Sequence, residues 1–138
     1  MRLPIQVEAI LFRRKGSKVE YLLLKRLPKR NGFWQPVTGG VEEGETQKDA
    51  LYREIREETG IKSLIRVLDD LHYFEFSDPN PCQEYVYGVE VTLSDEIMLD
   101  LKEHSKYRWC NYQEALQLLR WKENKEALRK LNVTLTQL

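Results

Sequence analysis

Glu54, Glu57 and Glu58 sit close together in the stretch Ala50–Gly60, followed along the chain by Glu103. At about 100° per residue, the first three fall on an arc of roughly 100° on one side of a helix. That placement costs free energy if the helix is only structural. Glu54 and Glu58 are like charges at i,i+4, which repel by a few tenths of a kcal/mol on an open surface. Glu58 also projects beside Leu51 and Ile55, the apolar positions that should face a core. Desolvation there raises a carboxyl pKa and penalises the ion. A divalent cation relieves both costs, because hard ions such as Mg²⁺ take carboxylate oxygens. The alternative is a solvated acidic helix balanced by Lys48, Arg53 and Arg56.

The neighbouring sequence carries the signals needed to build such a helix. Thr46 is a good N-cap, and Asp49 three residues on gives a loose capping box. Gly60 stands where a left-handed C-terminal cap belongs. Before the helix, Phe33–Thr38 reads as one short apolar strand running into Gly39. The glycines there let the backbone approach a ligand closely. Lys25, Arg26, Lys29 and Arg30 form a basic loop ahead of that strand, either simply solvated or placed to hold phosphates.

Elsewhere, Gln6–Phe12 and Val19–Lys25 alternate as β-formers around the polar turn 13–18, which predicts a hairpin. Two extended segments follow the acidic helix, Leu64–Leu71 and His72–Phe76, then the breaking loop Ser77–Pro81. Glu84–Thr92 alternates again, with Tyr85, Tyr87, Val89 and Val91 on one face. Tyr73, Phe74, Phe76, Tyr85 and Tyr87 are explained by core packing and cross-strand pairing, with ring stacking on a substrate as the other reading. His72 shows no partner in the sequence. Asn111 with Glu114 predicts a helix start, and a further helical stretch from Trp121 should end near Asn132.

A chain of 138 residues is read as one domain, 1–138, able to bury a core without staples. Its 22 basic and 22 acidic residues balance, which argues against extended nucleic acid as a partner. The apolar runs are too short to span a bilayer, and no basic start precedes an apolar signal region. A cytoplasmic protein without a membrane partner is expected, with Cys82 and Cys110 as reduced thiols. A homo-oligomer is left open.

The stretch Gly39–Ile61 resembles the Nudix box, GX5EX7REUXEEXGU with U aliphatic, at every fixed position. Gly39 opens it, Glu45 follows after five residues, and Arg53-Glu54 after seven more. Ile55, Glu57-Glu58 and Gly60-Ile61 complete it. The resemblance implies an α/β fold, an α/β/α sandwich with a mixed sheet and a loop-helix-loop catalytic box. It implies Mg²⁺, with Mn²⁺ as a substitute, held by Glu54, Glu57 and Glu58, with Arg53 orienting the carboxylates and Glu45 supporting the loop. Glu103 matches a distant carboxylate, as metal ligand or general base, and His104 beside it is expected to be structural.

Two further stretches are similar to one branch of the family, the bacterial dihydroneopterin triphosphate pyrophosphohydrolases. These are Phe33-Trp34-Gln35-Pro36-Val37-Thr38-Gly39 and Glu103-His104-x-x-Tyr107-x-Trp109, with Trp121-x-x-Asn124 beyond. That branch points to Arg2, Arg26 and Thr38 as substrate contacts, and to a small phosphorylated substrate cut to monophosphate and pyrophosphate, with dATP-like nucleotides as further substrates. The Glu-His-x-x-Tyr-x-Trp element is shared with diadenosine tetraphosphate hydrolases, so that activity, or a general house-cleaning nucleotidase, is the alternative. A non-catalytic ligand-sensing module is the minor one, disfavoured by the intact box.

Overall fold

A computed structural model describes residues 2–77, 79–94 and 96–137, with side chains from Pro4 onward. Its organising strand is β1 (Arg2–Lys15), which pairs along both edges. One edge takes β6 (Pro81–Glu90) in parallel, from Ile5↔Gln83 to Phe12↔Glu90. The other edge is divided. Its last residues pair antiparallel with β2 (Lys18–Arg26), from Phe12↔Tyr21 to Lys15↔Lys18, around the turn at Gly16. Its first part pairs with β4 (Val37–Glu42), from Arg2↔Glu42 to Ala9↔Val37.

β1 and β2 therefore diverge after their shared turn. β3 (Trp34–Gln35) stays with β2, while β4 crosses to β1. Pro36 lies between them, so the single strand expected over Phe33–Thr38 is in fact two short ones. A proline has no N–H for a ladder, which fits a residue at the point where the chain changes partner. β7 (His104–Cys110) pairs with β2, and β5 (Arg66–Ser77) with β6, completing a mixed sheet of seven strands. The two extended segments expected after the box are one strand, β5. It carries a register shift between Leu68 and His72, where Asp70 has φ 53°.

The period-2 alternation of β1 sends its side chains to two cores. Val7, Ala9 and Leu11 pack with Leu51 and Ile55 of α1 (Gln47–Thr59). Ile10 and Phe12 pack on the other face with Ala115 of α2 (Tyr112–Leu118) and Leu128 and Leu131 of α3 (Lys122–Thr136). The result is the α/β/α sandwich. α3 continues about one turn past Asn132, because Leu135 still finds a buried position.

Candidate active site

The capping signals around α1 form as the sequence predicts. Thr46 Oγ1 accepts from the Asp49 N–H at 3.0 Å, and Asp49 returns the bond to the Thr46 N–H at 3.1 Å. Gly60 ends the helix at φ 78°. These caps fix the rotation of α1 between the core and the loop that precedes it.

Arg53 is the hub of the exposed side. Its Nε and Nη2 donate to the two oxygens of Glu45 at 2.6 and 2.9 Å. Nη1 donates to Glu54 at 2.7 Å and Glu57 at 3.1 Å, and Nη2 also reaches the Gly40 carbonyl at 2.9 Å. One planar guanidinium thus ties three carboxylates to the entry loop, a task suited to its fixed fork of donors. The Arg53 bonds, joined by one that Glu45 accepts from the Glu42 N–H, lower the Glu45 pKa to about 2. Glu54 lies directly over Gly39. A Cβ on that glycine would stand 2.0 Å from the Glu54 carboxyl carbon, so the box glycine is required by contact and not by φ.

Glu58 is built differently. It is buried, and burial first, then the charges of Glu54, Glu103, Asp100 and Glu57, push its pKa up to about 8. Its Oε2 faces His104 Nδ1 at 3.5 Å, and neither atom makes a hydrogen bond among the described residues. His104 Nε2 lies 3.2 Å from Gln35 Nε2. With the Gln35 amide oriented this way its nitrogen donates to His104 Nε2, an arrangement that pairs with the ring proton on Nδ1, towards Glu58. Burial, followed by the positive charge of Arg26, lowers the imidazole pKa to about 4 and keeps it neutral.

Glu103 joins from the loop before β7 and pairs with Arg30 at 3.4 Å. Asp100, which the sequence reading passed over, sets that placement. Its carbonyl accepts from the N–H groups of both Glu103 and His104 at 3.0 Å. Its only sequence signal is a position three residues before Glu103.

The other expected contacts divide. Arg26 lies opposite His104 in the β2–β7 register and stacks over Phe33 at 5.2 Å, beside the site. Thr38 pairs with Glu8, so it shares the sheet face of Glu8 and points away from α1. The Arg2 side chain lies outside the described residues. His72, for which the sequence shows no partner, bridges Glu123 and Lys130 of α3 at 2.8 Å each.

Among the described residues no three acidic, histidine or cysteine side chains converge closely enough to form a finished cation cage. The donor chemistry nonetheless fits a divalent ion. All the site carboxylates offer hard oxygens, Glu58 keeps a buried oxygen without a partner, and burial together with the surrounding negative charge drives it towards a proton in place of a cation.

Residues 2–131 match the NUDIX domain model, so the chain belongs to the Nudix family. It is 33% identical over 138 residues to a bis(5'-nucleosyl)-tetraphosphatase of Mus musculus, covering 87% of each chain. It is also 33% identical to a Myxococcus xanthus octanoyltransferase, of which it spans only 33%. With the dihydroneopterin triphosphate diphosphatase of Escherichia coli it shares 28% identity, over 91% of this chain and 89% of that one. A Nudix hydrolase structure from Listeria monocytogenes superposes with a TM-score of 0.84 at 30% identity, covering 98% and 96% of the two chains. The protein is an enzyme of the class that acts on diphosphate linkages, and its family generally uses divalent cations. Among the described residues no helix is long and apolar enough to cross a membrane.

Proposed function

We propose that this enzyme is a Mg²⁺-dependent pyrophosphohydrolase of a nucleoside-triphosphate-like substrate, dihydroneopterin triphosphate first among them. The observation that carries the reaction class is the pairing of the Arg53 clamp with the isolated, buried Glu58 carboxyl. Glu54, Glu57 and Glu58, with Glu103, would hold the cation. When bound, the ion supplies charge that neutralises the polyphosphate and acidifies a water. Arg53 keeps Glu54 and Glu57 aimed during the reaction, and Arg26 and Arg30 offer guanidinium groups to the phosphates. Glu58 or Glu103 takes the proton of the attacking water. Neutral His104 buttresses Glu58 without adding a positive charge that would oppose the cation.

The pterin preference is supported by the meeting of the two branch-like stretches. Gln35 of the Phe-Trp-Gln entry contacts His104 of the Glu-His element. A second reading, diadenosine tetraphosphate hydrolysis, is favoured by the 33% identity to the mouse enzyme. The test is kcat/KM with product identification for dihydroneopterin triphosphate, dATP and diadenosine tetraphosphate under one Mg²⁺ condition. The first reading expects monophosphate and pyrophosphate from the pterin substrate. A tetraphosphate preference above about tenfold, roughly 1.4 kcal/mol of transition-state binding, would select the second.

A further inference from the structure

The basic loop is fastened to the site by its backbone, and Arg30 is the residue that this fastening delivers. Leu27 N–H donates to the Glu103 carbonyl at 3.2 Å, so loop and acidic turn are joined whatever their side chains do. The loop then closes on itself. Pro28–Arg30 forms one turn of 3-10 helix, and the N–H groups of Arg30 and Gly32 both donate to the Leu27 carbonyl. Asn31 at φ 80° and Gly32 at φ 63° reverse the chain. The Arg30 stem is thereby held over the Glu103 side of the site.

The side-chain pair itself is weak. Arg30 Nη1 and Glu103 Oε2 are 3.4 Å apart, and the two side chains remain 44% and 37% exposed. An ion pair this open is weak and exchanges readily. Arg53 is the contrast: five short bonds fix it to the box, so it cannot leave to serve a ligand. We propose that Arg30 is an exchangeable counter-ion, paired with Glu103 until a polyphosphate arrives and then transferred to a phosphate oxygen, which frees Glu103 for its part in hydrolysis. This deepens the pyrophosphohydrolase reading and rests on it. Phosphate oxygens suit the planar fork at least as well as a carboxylate does, and they carry more charge. The exchange couples substrate arrival to the release of Glu103 from its guanidinium partner.

A double-substitution cycle on the full chain tests this without turnover. The probe is inorganic tripolyphosphate, its Kd measured by calorimetry in excess chelator for wild type, Arg30→Gln, Glu103→Gln and the pair. Glu103→Gln should bind about threefold tighter or better, because Arg30 is released. Arg30→Gln should bind more weakly, and adding Glu103→Gln to it should restore no gain. An equal gain from Glu103→Gln in both backgrounds would mean only that a negative charge was removed, and would overturn the exchange. So would an Arg30→Gln protein that binds as tightly as wild type, or a Glu103→Gln protein that does not bind the probe. Hydrolysis of the triphosphate substrates by wild type with Mg²⁺ reports separately on the broader reading. It can therefore succeed while the cycle fails.

Discussion

Glu58 Oε2 and His104 Nδ1 face one another at 3.5 Å inside the protein, one from the box helix and the other from the start of β7. The contact ties the catalytic box to a strand 46 positions further along the chain, and Gln35 holds the far side of the ring. Because His104 is buried and its Nε2 accepts from Gln35, His104→Ala leaves that amide without its partner and opens a space under Glu58. Loss of stability by about 1–3 kcal/mol is expected. Urea denaturation of the metal-free protein measures it, and an unchanged midpoint would show that the ring does not support the site.

Gly39 tests the clamp from below. In Gly39→Ala the new methyl cannot coexist with Glu54 where it lies, and the end of that flexible side chain must swing away from Arg53. The fold should survive, while a displacement of about 1 Å at a carboxylate proposed to hold the cation should cost on the order of 100-fold in kcat/KM. Activity within about twofold of wild type, with an unchanged melting curve, would mean that the Glu54 position does not matter.

A third expectation concerns a buried carboxyl on the face of β1 opposite α1. Glu8 is fully buried on the α3 face of β1, where Asn124 donates to it at 2.7 Å and Glu84 lies close by. Burial, then the Glu84 charge, raises its pKa well above 4.5. A raised carboxyl pKa favours the folded state while both states are protonated, and that stability is lost as pH rises through the folded pKa. Glu8→Gln keeps the shape and removes the ionisation. It should melt higher than wild type at about pH 8 and show a flatter fall of melting temperature above about pH 5. Parallel pH profiles for the two proteins would refute the assignment.

Much of the site could be read from the chain because its determinants are local. The Thr46–Asp49 and Asn111–Glu114 caps and the Gly60 terminus depend on residues a few positions apart, and each forms as expected. The carboxylate arc followed from helix geometry alone. What escaped depends on partners distant in sequence. Pro36 was visible, but the fork it spans arises because β1 and β2 separate to pair with different strands. His72 gains its two partners from a helix more than fifty residues later. Thr38 could be placed in a strand, yet only its pairing with Glu8 shows which face it occupies.

The most direct measurement of the central claim is turnover by Glu58→Gln. Glutamine keeps the size of the side chain but cannot supply a full negative charge to a cation or accept a proton as a base. With saturating dihydroneopterin triphosphate and Mg²⁺, its kcat should fall by about two orders of magnitude or more. In chelator its melting temperature should equal or exceed that of wild type, because the buried acidic group with the raised pKa is gone. Wild type should lose activity in the same chelator and recover it with Mg²⁺. A Glu58→Gln enzyme that turns over at the wild-type rate would contradict the assignment of this carboxylate cluster as the centre of the chemistry.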